Sequence, residues 1–136
     1  MQLFRGRLID HLQVTTRDLA ESRRFYEAIL GVLGIDLTDM PQASAFYGDE
    51  LWVTDQGPPT GRMHFAFQAP DRAAVDRFHE AGLAAGGRDN GAPGERDYHP
   101  GYYAAFLLDP DGNNVEAVYH GPAERSAKAV EISIGG

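Results

Sequence analysis

Three residues of this chain, His11, His64 and Glu116, have the types and placement to hold a metal ion. Two imidazoles and a carboxylate supply nitrogen and oxygen donors, enough to fix a divalent cation while leaving coordination positions for water or a small chelating substrate. The chain contains no cysteine, so disulfides and thiolate sites are excluded and imidazole and carboxylate are the ligands available. Fe(II), Mn(II), Ni(II), Co(II) and Zn(II) all accept such donors, so the expectation is one divalent metal ion of unspecified identity.

The histidines are singled out by a repeat. Moving the segment from His11 to Leu30 forward by 53 positions lays it on His64 to Leu83 without a gap. His11 then meets His64, Asp18 meets Asp71, Arg24 meets Arg77, Phe25 meets Phe78 and Glu27 meets Glu80. Each copy opens as a strand, in which His11 and Gln13 share one face and Leu12 and Val14 the other. In the second copy His64 and Gln68 share a face opposite Met63, Phe65 and Phe67. A helix follows, with Asp18 as its N-cap in the first copy, Leu19, Phe25, Tyr26, Ile29 and Leu30 as its buried stripe, and Gly31 as its end. Gly86-Gly87 marks the loop after the second helix.

Two later strands are expected in each copy, near residues 44–47 and 51–54, then 102–108 and 114–119. Their turns are Gly48-Asp49 and Asp109-Pro110-Asp111-Gly112, the second a strong turn signal because proline presets one torsion and glycine tolerates positive φ. Four residues beyond the turn glycine stands Trp52 in the first copy and Glu116 in the second. A carboxylate between Val115 and Ala117 on an apolar strand is read as a ligand rather than as a solvent-facing side chain. Two histidines and this carboxylate on separate strands can converge on one face of a curved sheet.

The segments Ile9-Asp10-His11-Leu12-Gln13-Val14, Asp18 to Tyr26, Met63-His64-Phe65-Ala66-Phe67 and Asp109 to Glu116 resemble the vicinal oxygen chelate superfamily, which contains glyoxalases, bleomycin-resistance proteins, fosfomycin-resistance enzymes and extradiol dioxygenases. The resemblance implies an α+β fold of two βαβββ modules, curled into a half-barrel sheet around a metal-binding concavity, with His11, His64 and Glu116 as ligands. It covers nearly the whole chain as one domain, with module one at about residues 7–56, module two at about 61–120 and an extension at 121–136. It does not specify a reaction, because one fold carries isomerases, lyases, oxidoreductases and plain binders. In glyoxalase I members the first module supplies a fourth ligand where this chain has Trp52, and an indole N–H cannot ligate a metal. The remaining triad looks more like that of the extradiol dioxygenases.

The first functional expectation is a metal-dependent enzyme, of lyase, isomerase or dioxygenase type, that chelates a small substrate with vicinal oxygens and stabilises its developing anion. His99 and Tyr103 are the candidate acid/base groups, although Tyr102 and Tyr103 alternate in facing and only one of them can look into the cavity. Gln13, Phe46 and Trp52 are the candidate lining of a substrate pocket. The alternative is a ligand-sequestering binding protein without turnover, like the bleomycin-resistance proteins, with Trp52, Phe46, Tyr47 and Tyr103 as an aromatic wall. His79 and His120 are read as packing or surface residues.

With 136 residues, 43% of them apolar, the chain can bury a real core. Its net charge of −8 makes nucleic acid and anionic membrane poor partners. No apolar run reaches the length of a membrane span and no export signal is recognisable, so a soluble cytoplasmic protein is expected. The resemblance also implies a homodimer. Val130, Ile132 and Ile134 alternate near the C-terminus, a pattern suited to an edge strand or to a partner chain.

Overall fold

The computed structural model describes residues 2–5 by their backbone, and residues 8–125 and 129–135 in full. Ten strands and two α-helices follow in the order β1 (Gln2–Arg5), β2 (Leu12–Thr15), α1 (Leu19–Val32), β3 (Thr38–Met40), β4 (Ala45–Gly48), β5 (Leu51–Thr54), β6 (His64–Gln68), α2 (Arg72–Ala84), β7 (Arg88–Glu95), β8 (Tyr103–Leu108), β9 (Asn114–Tyr119) and β10 (Val130–Ser133). The architecture is α+β and consists of two βαβββ modules. Their strands form two four-stranded sheets, ordered β2-β5-β4-β3 and β6-β9-β8-β7. In each, the module's first strand runs parallel to its last, and the remaining pairs are antiparallel.

Strand register reproduces the repeat. Gln13 lies opposite Trp52 in module one, and Ala66 lies opposite Glu116 in module two. Since Gln13 and Ala66 are 53 positions apart, the same offset that aligns the histidines makes Trp52 and Glu116 equivalent. Both helices begin on the matching aspartate: Asp18 accepts from the Glu21 amide at 3.0 Å and Asp71 from the Ala74 amide at 2.7 Å. Each satisfies an amide that has no carbonyl partner in the first turn.

Two expectations need correction. Gly31 lies within α1, which continues to Val32 and is closed by Gly34 at φ 79°. The second strand of each module, β3 or β7, carries little apolar signal, since β7 reads Arg-Asp-Asn-Gly-Ala-Pro-Gly-Glu. These strands exist because a hydrogen-bonded neighbour fixes them, not because of their own composition. The C-terminal alternation does form a strand, β10, whose partner is β1 at the other end of the chain.

α1 packs on the first sheet and α2 on the second, and the helices pack on each other. One core results, joining Val14, Phe25, Ile29, Phe46 and Val53 of module one to Val75, Phe78, Leu107, Val115 and Ala117 of module two. Gly82 permits the close approach, because a Cβ there would lie 2.2 Å from Leu107 Cδ1 and 3.0 Å from Ile29 Cγ2. Gly82→Val is therefore expected to destabilise the protein by about 3 kcal/mol through overpacking, measurable as a lowered urea midpoint at unchanged slope. The Asp109-Pro110-Asp111-Gly112 turn also joins the modules. Tyr26 donates to Asp109 at 2.6 Å, and Thr16 donates to Asp111 at 2.5 Å.

Each sheet thus gives one face to its helix and turns the other away. The outer faces carry the alternate residues of β2, β6 and β9, which include His64 and Glu116, and His11 immediately precedes β2.

Candidate metal site

Glu116 occupies the third position of β9, where its flanking residues Val115 and Ala117 point into the core. Its carboxylate points the other way, yet only 3% of its side chain is exposed. The cover comes from its own sheet: Ala66 on β6 and Phe106 on β8 lie directly opposite it. One carboxylate oxygen, Oε1, lies 2.8 Å from His64 Nε2. The other, Oε2, accepts a short hydrogen bond from the Tyr102 hydroxyl. Among the described residues no lysine or arginine is within ion-pair distance of this buried carboxylate.

His64 stands two residues before Ala66 on the same face of β6, so its ring reaches diagonally to Glu116. Its side chain is 53% exposed and its ring centre lies 6.0 Å from that of Phe106. The pair therefore has a buried acidic end and an open basic end. Two ligands of one ion at bond lengths of about 2.1 Å and a right angle stand about 3 Å apart, close to the observed 2.8 Å. A buried carboxylate beside an imidazole at this spacing, with no lysine or arginine at ion-pair distance among the described residues, offers two of the donors a divalent ion needs.

Burial first, and then the hydrogen bond to Glu116, push the Tyr102 phenol well above its usual range. Tyr26 is raised by burial and by Asp109. Both tyrosines hold their protons more tightly folded than unfolded, so the stability they add is complete below about pH 10 and declines as pH rises beyond it. The melting temperature should fall above about pH 10, less steeply in Tyr102→Phe and Tyr26→Phe, as a series of thermal melts would show.

In module one the matching face carries His11, Gln13 and Trp52, which border an open cavity of about 540 Å³ together with Met40, Tyr47 and Leu51. His11 is exposed and its Nδ1 lies 2.7 Å from Asp10 Oδ1. With Nδ1–H donated to that carboxylate, Nε2 keeps the lone pair, the arrangement that orients histidine ligands. Tyr47 stacks on Trp52 with ring centres 5.8 Å apart and planes 12° apart. Phe46, expected in the pocket, is instead buried in the core against α1, because it alternates with Tyr47 along β4.

Tyr103 also departs from expectation. Its hydroxyl donates to Asp76 of α2 at 2.6 Å and its ring lies under Arg72, so it faces the helix and Tyr102 faces Glu116. The hairpin could have settled this in the sequence. A turn at residues 109–112 puts Phe106 opposite Glu116, and Tyr102 shares the parity of Phe106. His99 lies beside Tyr102, ring centres 5.3 Å apart, and pairs with His120, whose approach from the end of β9 was not anticipated. His79 pairs with Asp89 at 2.8 Å, at the helix surface.

The structure brings His64 and Glu116 together and places His11 elsewhere: among the described residues no three His, Asp or Glu side chains gather. Within the chain the two helices pack on each other and each sheet packs on its own helix.

Residues 8–117 match the family model of the Glyoxalase/Bleomycin resistance protein/Dioxygenase superfamily. A catechol-2,3-dioxygenase of Bacillus subtilis strain 168 is 30% identical over 122 residues, which is 79% of this chain and 40% of that protein. The chain thus spans less than half of that relative's length. A glyoxalase/bleomycin resistance protein from Albidiferax ferrireducens T118 superposes with a TM-score of 0.70 at 32% identity, covering 82% of this chain and 97% of its own. A lactoylglutathione lyase from Agrobacterium tumefaciens shares the fold with a TM-score of 0.60 at 21% identity, covering 83% of this chain and 93% of its own.

Proposed function

The chain belongs to the Glyoxalase/Bleomycin resistance protein/Dioxygenase superfamily, and we propose that it is a divalent-metal-dependent enzyme of that family acting on a small substrate with two vicinal oxygens. The observation that carries this reading is the buried Glu116 carboxylate, paired with His64 and Tyr102 and, among the described residues, with no lysine or arginine at ion-pair distance. A charge so buried is costly unless something compensates it. A bound divalent ion would do so, and would supply Lewis-acid stabilisation to the anion that forms on the substrate.

Glu116 and His64 of one chain would hold the ion together with His11 of a second copy, because His11 lies on the outer face of the other sheet and is already oriented by Asp10. A homodimer in which the first module of one copy faces the second module of the other brings the three residues to one concavity, twice. Tyr102 fixes the rotation of the Glu116 carboxylate by donating to Oε2, which leaves Oε1 beside His64. Phe106 walls the site against water. From the other copy Trp52, Tyr47 and Gln13 would contribute a flat aromatic surface and one amide, suited to a planar substrate. Trp52 in the position equivalent to Glu116 supports a three-ligand centre over the four-ligand centre of an isomerase. With a relative named for catechol, an aromatic vicinal diol is the first substrate class to try.

The second reading, a binder without turnover, draws on the Tyr47 and Trp52 stack in an open cavity. Catechol titrated into the protein with and without Mn(II), followed by Trp52 fluorescence, separates the two. Binding that needs the ion, with oxygen uptake once Fe(II) is supplied, is the expected result. Binding of equal strength without any ion would favour the sequestering reading.

A further inference from the structure

We propose that His99 and His120 form a second transition-metal site, separate from the Glu116 centre and independent of the function proposed above. The site is built by two glycines. Gly101 at φ 87° and Gly121 at φ 83° are in the left-handed region, and a Cβ on Gly121 would lie 3.2 Å from the Gly101 Cα. Backbone contact at this point clamps the loop before β8 to the segment after β9. His99 and His120 lie just before these glycines, and the clamp brings His99 Nε2 to 2.8 Å from His120 Nδ1, with the rings 18° from parallel.

The protons can be placed. His99 Nδ1 lies 2.9 Å from the Pro100 carbonyl oxygen, which only accepts, so Nδ1 carries a hydrogen and Nε2 carries the lone pair. His120 Nδ1 must then be the donor across the 2.8 Å contact. A histidine whose second ring nitrogen donates to a backbone carbonyl is oriented as metal-ligating histidines are. For a metal to bind, His120 moves its proton from Nδ1 to Nε2 through solvent, and both imidazoles stay neutral. The His99 Nε2 lone pair and the one freed on His120 Nδ1 then stand on atoms 2.8 Å apart, close to the about 3 Å of adjacent ligands at metal–nitrogen bonds of about 2.1 Å. Both side chains are exposed, so water completes the coordination shell. The Tyr102 ring stands edge-on to both imidazoles at 5.3 Å and separates this pair from Glu116. Two neutral nitrogens with open positions favour Cu(II), then Ni(II) and Zn(II).

The test uses the full-length H64A/E116A double variant, so that failure of the first centre cannot affect the outcome. Cu(II) titration should show one ion per chain with electron paramagnetic resonance splitting from two nitrogens. Adding His99→Gln or His120→Gln should weaken binding by at least about tenfold and leave one nitrogen, while His79→Ala leaves binding unchanged. Circular dichroism of each variant confirms that the fold is retained. Absence of Cu(II) binding, or binding that survives both glutamine variants, would overturn the site and leave the contact as a plain imidazole hydrogen bond.

Discussion

Glu116→Gln is expected to weaken Co(II) or Mn(II) binding by about 100-fold or more while leaving the metal-free protein at least as stable as wild type. The two effects have one cause. Glu116 is 3% exposed and its neighbours Ala66 and Phe106 are apolar, so its charge is poorly solvated. His64 and Tyr102 compensate it only in part, since each brings one hydrogen bond and Tyr102 is neutral. Glutamine keeps the volume and an oxygen that can accept from Tyr102, and it removes the charge that attracts the cation. A purely structural glutamate would show the opposite pattern, with stability lost on substitution and no ion affinity to lose. Isothermal titration with Co(II), beside thermal melts in chelator, reads both halves. Wild type should melt higher with saturating ion and the variant should not, because the site does not exist in the unfolded chain.

Much of this was legible in the sequence for particular physical reasons. The gapless repeat marks a duplicated strand and helix because matching side chains at matching positions require matching backbone, and the strand registers reproduce its offset, while the full βαβββ module is what the family resemblance implies. Strand parity gives the face of β6 that carries His64 and the face of β9 that carries Glu116, but not their direct contact. Other features were hidden. β3 and β7 have compositions that say nothing of their conformation, and only their neighbours β4 and β8 define them. Phe46 reads as a pocket residue in the sequence because an aromatic side chain suits a core and a cavity equally, and only the parity of β4 relative to α1 decides. The separation of His11 from the other two could not be read at all. Two modules joined by a linker can meet through their sheets or through their helices, and that choice rests on close contacts such as Gly82 with Ile29 and Leu107.

If the centre is completed between copies, His11→Ala and Glu116→Ala should each bind Co(II) weakly alone and recover binding together. In a mixed dimer one site contains both substitutions and the other contains neither. Random reassortment makes about half of the dimers mixed, so about a quarter of the wild-type sites should return at full affinity. Mixing His64→Ala with Glu116→Ala should restore none, because those residues sit 2.8 Å apart in one chain and every site then lacks one of them. The contrast between the two mixtures distinguishes a shared site from one contained in a single copy. Co-unfolding and refolding equal amounts of the variants, followed by titration, makes the comparison.

The claim at the centre of the account is that a divalent ion binds at Glu116 and His64, and dialysis against Co(II) followed by elemental analysis and visible spectroscopy tests it most directly. A His99→Gln background keeps the imidazole pair at the end of β9 from contributing. The account predicts about one ion per chain with nitrogen and oxygen donors, reduced to background by adding either His64→Ala or Glu116→Ala. Protein that takes up no ion, or takes up as much after both substitutions as before, would contradict it.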